Sequence, residues 1–239
     1  MLHKVLSSAR ELRDRVITTG NPAAVPLEQY RVLALRLQRA EPVGSRRVLV
    51  LTSALPAEGK TLTVTNLALT LSGSYRRRVL VIEGDLRRPT LNLVFGPGGI
   101  GPAEEPRDLR LPEGLGLPHR LSQGAPRLFT LTVEDPLLDP VPLLNSQAFA
   151  SLVAWGREHF DWVLIDSPPA ALVPDANMLA QLADGVLLVV WASNTSRDAV
   201  QRAVATVGQD RLLGVVMNRV TSATEQPYLA YYDYGAYRR

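Results

Sequence analysis

Residues 48–71 limit the folds open to this chain more than any other stretch. VLVLTS (48–53) is a short apolar, β-branched run, the pattern of a strand buried on both faces. It leads directly into Ala54-Leu-Pro-Ala-Glu-Gly59-Lys60-Thr61, and a helical pattern follows to about Leu71. These eight residues match the phosphate-binding pattern G-x-x-x-x-G-K-[ST], except that Ala54 stands in the first position. A tight turn after a buried strand aims successive backbone N–H groups at one point, and the following helix adds positive potential there. The cradle spans Pro56, Ala57, Glu58, Gly59, Lys60, Thr61 and Leu62, with Lys60 reaching the β- and γ-phosphates and the Thr61 hydroxyl on Mg2+. Lys60 stands out chemically, because only two of the 26 Lys and Arg residues are lysines, Lys4 and Lys60. A compact ammonium fits between phosphate oxygens where a planar guanidinium does not.

A magnesium–nucleotide site also needs acids at neighbouring strand ends. Two apolar runs supply them: VLVIEG (79–84) passes through Glu83 to Asp85, and the strand from Trp162 ends at Asp166. Parallel strands bring their C-terminal ends to one edge, so these acids fall beside the phosphate loop. Asp166 suits a magnesium ligand. Asp85 suits a second ligand or the group that orients a nucleophile, with Glu83 beside it.

Elsewhere strands and helices alternate. Helices are expected over 1–19 (anchors Leu2, Val5, Leu6, Leu12, Val16), 27–39, 145–159, 176–182 and 196–207, and further strands over 127–133, 185–192 and 212–218. Residues 96–126, rich in Gly and Pro, read as a long surface connection. The alternation predicts a three-layer α/β fold, a mostly parallel sheet with helices on both faces. The expected organisation is a helical extension (1–26), an ATPase-type domain (27–220) and a tail (221–239). No cysteine is present, so disulfides and cysteine-bound metals are excluded, and His3, His119 and His159 are far apart. No apolar run reaches the ~18 residues of a membrane span. The N-terminus is too charged for a signal peptide, which predicts a cytoplasmic chain. The net charge of +3 without a basic stripe argues against nucleic-acid binding.

Five of the seven tyrosines, Tyr228, Tyr231, Tyr232, Tyr234 and Tyr237, crowd the last twelve residues. The segment lacks the aliphatics of a core. It reads as an adhesive tail or as a row of phosphate acceptors, each phosphate adding nearly two negative charges.

With these features in hand, the chain resembles the bacterial tyrosine kinases of capsule and exopolysaccharide synthesis. TSALPAEGKTLTVTNLA (52–68) is similar to their Walker A motif and VLVIEGDLRRP (79–89) to their Walker A′. DWVLIDSPP (161–169), with Asp175, is similar to their Walker B, and GVVMNRV (214–220) before the tyrosine cluster to their C-terminal end. The resemblance implies a MinD/ParA-type phosphate-loop fold that uses ATP and Mg2+. It implies autophosphorylation of the tail between subunits of a ring, a transmembrane polysaccharide co-polymerase as activator, and a cognate tyrosine phosphatase. It places adenine at Asn218 and Arg219, and ring contacts at Glu28 and Arg31. The chain departs from the family at three positions. Glu83 stands where an Asp is usual, Ala57 where a Gly is common, and Ala34 where the helix motif E-x-x-R-x-x-R has its second Arg. The Ala57 change is minor, but Glu83 and Ala34 leave a second reading open, a nucleotide-binding regulatory subunit of a polysaccharide export system with weak kinase activity or none. A positioning ATPase is disfavoured because Leu55 stands where those proteins carry an extra lysine, and Asn218-Arg-Val-Thr is not a guanine motif.

Overall fold

The computed structural model describes residues 14–16, 25–39, 47–96, 100, 106 and 109–220. The expected N-terminal helix over 1–19 lies largely outside these residues, as does the tyrosine cluster.

Seven strands form one sheet: β1 (Arg47–Ser53), β2 (Val79–Glu83), β3 (Arg120–Ala125), β4 (Leu128–Thr132), β5 (Trp162–Asp166), β6 (Gly185–Trp191) and β7 (Leu212–Asn218). Their order is β3-β4-β2-β5-β1-β6-β7, all pairs parallel except β3 with β4. Alternation along each strand divides the interior in two. Val48, Val50, Leu80, Ile82, Val163 and Ile165 face one side. Leu49, Leu51, Val79, Val81 and Leu164 face the other.

The first side is covered by α5 (Gln147–His159), α6 (Asp175–Gln181) and α7 (Arg197–Val207), through residues such as Phe149, Leu152, Leu179 and Ala203. The second is covered by α1 (Val25–Arg39), α2 (Lys60–Gly73) and α3 (Leu91–Phe95), through Ala34, Leu37, Val64, Leu67, Leu71 and Phe95. A short α4 (Val141–Leu144) precedes α5. The predicted three-layer architecture is therefore the observed one. The near-unbroken apolar runs of the central strands follow from burial on both faces.

Two expectations need correction. Residues 96–126 are not only a surface connection, because β3 lies within them and Leu109, His119, Leu121 and Ser122 are buried. RLSQGA has little β character of its own, and its pairing with β4 through a two-residue turn at Pro126 and Arg127 makes it a strand. The helix expected from Leu27 starts at Val25, with Pro26 in its first turn, where a missing N–H costs nothing.

Candidate functional site

The phosphate loop leaves β1 at Ser53, whose hydroxyl donates to the Leu55 carbonyl (2.7 Å). Two residues of the turn adopt left-handed backbone, Ala57 at φ 62° and Gly59 at φ 95°. A Cβ on Gly59 would stand 2.1 Å from Asn218 Nδ2, so glycine is required there by both conformation and space. Glu58, inside the cradle, is buried. Its Oε2 accepts from Leu55 N–H (2.8 Å) and its Oε1 from the Thr195 hydroxyl. The residues expected at adenine also touch this loop. Asn218 Nδ2 donates to the Glu58 carbonyl (2.8 Å) and Arg219 Nη2 to the Ala57 carbonyl (2.9 Å), while the Arg219 guanidinium lies 4.1 Å over the Trp191 ring. The ends of β6 and β7 thus clasp the loop from its far side. Linear sequence gives little sign of this clasp, because its partners are more than 130 residues apart.

On the acidic side, Lys60 Nζ lies 3.1 Å from Asp85 Oδ2. Thr61 donates to Asp166 Oδ2 (2.6 Å) and, having spent its proton, accepts from the Thr90 hydroxyl (3.1 Å). Asp166 Oδ1 is buried without a hydrogen-bond partner. Glu83 pairs in register with Asp166 across β2 and β5, but its carboxylate turns aside. Oε2 accepts from Thr90 N–H (2.7 Å) and Leu91 N–H (2.8 Å), and Oε1 has no partner. The Glu83 carbonyl accepts from His119 Nε2 (2.8 Å), which fixes the proton of a neutral ring on that nitrogen. Arg87 forms a two-pronged bond to the fully buried Asp175 (2.8 and 3.1 Å), tying the loop after β2 to α6. Neither Arg87 nor Thr90 was singled out from sequence. Two arginines directly after an acid-bearing strand end were the available signal.

Burial governs the titration here. It raises Asp166 from 3.8 to about 6, against the pull of Lys60 and the Thr61 hydroxyl. Burial and then the neighbouring Asp166 charge hold Glu83 well above the carboxylate range, although the Leu91 and Thr90 N–H groups oppose them. Burial would lower Lys60, but Asp166, Asp85 and Glu83 outweigh it and keep the ammonium protonated.

Of the residues expected at ring contacts, Arg31 Nη1 bonds Glu28 Oε1 within α1. Ala34 is wholly buried. Among the described residues no group of three or more His, Cys, Asp or Glu is arranged to hold a metal alone. A hydroxyl, a carboxylate with one free oxygen and incoming phosphates form a different donor set, and Thr61 with Asp166 fits it. No helix of the described residues is long and apolar enough to cross a membrane.

No family model matches the chain. It is 27% identical over 211 residues to the tyrosine-protein kinase YwqD of Bacillus subtilis (strain 168), covering 87% of this chain and 86% of that protein. Among solved structures, the kinase domain of VpsO is 31% identical, with 82% of this chain and 97% of that one covered and a TM-score of 0.66. The chain belongs to the bacterial tyrosine kinases. It is also 30% identical to the succinoglycan biosynthesis transport protein ExoP of Rhizobium meliloti (strain 1021), over 85% of this chain but 26% of that protein. In fold alone this tyrosine kinase chain matches the cell-division ATPase MinD of Pyrococcus furiosus (22% identity, 74% of this chain and 73% of that one, TM-score 0.55).

Proposed function

We propose that this chain is an ATP-dependent protein-tyrosine kinase of capsule or exopolysaccharide synthesis, acting on tyrosines of the 221–239 segment of a neighbouring subunit. The observation that carries the reading is the contact between Lys60 and Asp85, 3.1 Å apart at the mouth of the phosphate loop. It puts a cation for the γ-phosphate and a carboxylate for the incoming hydroxyl at one point. Phosphoryl transfer has a loose transition state, so positioning and charge neutralisation supply most of the rate.

In this reading the N–H groups of residues 56–62 and the Lys60 ammonium hold the phosphates of ATP. Thr61 and Asp166 hold Mg2+, which when bound neutralises phosphate charge. Asp85 orients the tyrosine hydroxyl and takes its proton as the oxygen bonds to the γ-phosphorus. The bond from that phosphorus to the bridging oxygen breaks, and ADP leaves. Glu83 serves through the backbone it holds, because its near oxygen is committed to Thr90 and Leu91. Tyr228, Tyr231, Tyr232, Tyr234 and Tyr237 are the acceptors. Residues 27–220 form the catalytic domain, flanked by the 1–26 extension and the 221–239 tail. A ring of subunits joined near Glu28 and Arg31, a transmembrane co-polymerase as activator and a tyrosine phosphatase complete the system at the inner membrane face. The similarity to ExoP supports the polysaccharide assignment. Incubation with Mg-ATP and the activator, followed by mass spectrometry, should find phosphate on the tail tyrosines, absent in Lys60→Met and Asp85→Asn. Unmodified tyrosines under those conditions would overturn the reading.

The turned-aside Glu83 carboxylate favours one alternative, a regulatory subunit that switches assembly state with nucleotide and transfers little phosphate. Light scattering with and without Mg-ATP separates the two. A chain that phosphorylates itself with no ATP-dependent change of size excludes the alternative.

A further inference from the structure

Five non-glycine residues among those described adopt positive φ. Ala57, Ser193 and Arg219 stand at the phosphate loop or the strand ends beside it. The other two, Arg76 (φ 53°) and Arg127 (φ 64°), share one pocket of about 400 Å³ at the opposite edge of the sheet. Left-handed backbone is unfavourable at a bulky residue and gathers at functional sites.

Sheet register explains the meeting. Arg76 precedes β2 and Arg127 precedes β4, and these strands start level, Val79 opposite Leu128, with Val79 N–H donating to the Arg127 carbonyl (2.8 Å). The two arginines lie 51 positions apart in sequence, so the run Arg76-Arg77-Arg78 announces only one half of the site. Both side chains are exposed. Leu69, Ala125 and Pro126 supply apolar wall, and no Asp or Glu lines the pocket. The end of α2 borders it through Ser72 and Gly73, and two carbonyls of that last turn are already engaged. Thr70 accepts from Ser74 and Tyr75, and Leu71 from Arg77.

Two guanidinium groups beside apolar wall suit an aryl phosphate, with the phosphate on the arginine forks and the ring on the aliphatic surface. We propose that this pocket binds phosphotyrosine of the chain's own 221–239 segment. The proposal rests on the kinase reading above, which supplies the phosphate. Each acceptor changes on modification from a neutral phenol to about two negative charges, so the pocket distinguishes product from substrate by charge. Reach decides which tyrosines can arrive. Crossing from the end of β7 to the start of β2 is roughly 30 Å in a straight line, about four strand spacings across and one strand length down, and longer around the surface. At ~3.4 Å per residue, Tyr228, ten positions after Asn218, reaches about 34 Å when fully extended, barely more than the straight line, whereas Tyr234 and Tyr237, at about 54 and 65 Å, have slack for a path around the surface. Tyrosines of a neighbouring subunit are not bound by this limit. A tail docked here is removed from the phosphate loop, which clears that edge for the next acceptor.

The test uses the full chain, treated with phosphatase, and a synthetic 221–239 peptide carrying phosphotyrosine at Tyr234. Calorimetric titration should show the phosphopeptide binding at least ~10-fold more tightly than the unmodified peptide, with affinity falling as salt rises. Arg76→Asn with Arg127→Asn should abolish that difference. Asn tolerates left-handed backbone, so the double variant keeps its fold, which its melting temperature verifies. Equal affinity for both peptides, or full binding by the double variant, would sink the proposal. So would arginine-dependent capture of phosphatidylglycerol vesicles without phosphopeptide binding, which would assign the pocket to a membrane surface. Because the peptide is synthetic, the result is independent of whether the chain phosphorylates itself, and mass spectrometry of the tail judges the kinase reading separately.

Discussion

Asp166 and Glu83 face one another on adjacent strands with no exposed surface. Burial lifts Asp166 from 3.8 to about 6, so the folded chain binds that proton more tightly than the unfolded chain does. The resulting stabilisation is complete below the unfolded value and is lost as pH rises through about 6. The gap corresponds to roughly 3 kcal/mol at most. With Mg2+ chelated, the melting temperature should therefore fall from about pH 4 to about pH 6, and fall less in Asp166→Asn. Parallel curves for the two proteins would remove Asp166 as the source. A neighbouring residue tests geometry instead of charge. Gly59→Ala places a methyl group at the Asn218 amide in left-handed backbone, and should cost on the order of 2 kcal/mol while destroying ATP binding. Calorimetric unfolding checks it, and an unchanged Tm would show that the loop can yield.

Helix α1 shows what the sequence could and could not tell. Its helical character was legible from spacing, but which face turns inward was not. Ala34 stands where the family's second arginine is usual, which reads from sequence as a lost ring contact. In the structure Ala34 has no exposed surface and packs with Leu37, Leu67 and Leu71 in one apolar cluster. An arginine added there would carry its charge toward the core. Ala34→Arg should therefore destabilise the chain by about 3 kcal/mol or more and leave assembly unrepaired, as measured by denaturant unfolding and light scattering. Gain of an ATP-dependent ring at full stability would contradict this. The same difference separates what was readable elsewhere. The β1-loop-α2 unit, the acid-bearing strand ends and the parallel sheet follow from local pattern. Strand β3 does not, because RLSQGA becomes a strand only against β4. Nor does the role of Glu83, because the residue type is visible but the direction of one extra methylene depends on where Thr90 and Leu91 present their N–H groups.

Across the whole molecule, the phosphate loop is held from both sides, by the acids of β2 and β5 and by the clasp from β6 and β7. The tyrosine-bearing segment leaves from the second side, directly after Asn218 and Arg219, whose side chains bond the carbonyls of Glu58 and Ala57. Asn218 is therefore a candidate for two separable roles, support of the loop, where its amide bonds the Glu58 carbonyl, and the adenine contact that the family resemblance implies. Asn218→Ala distinguishes them without nucleotide. If the residue supports the loop, the variant loses roughly 1–2 kcal/mol of stability in the absence of any ligand, because the buried Glu58 carbonyl loses its donor. It also binds tripolyphosphate, which has no base, more weakly than the wild type. If Asn218 acts only on adenine, both quantities stay unchanged and ATP affinity alone falls. The clasp geometry predicts the first pattern. It also predicts that ATP slows hydrogen exchange along β7, since a ligand that orders the loop orders the strand bonded to it. Unaltered exchange at Val216 to Asn218 on ATP addition would mean that the loop and the tail-bearing strand are energetically separate.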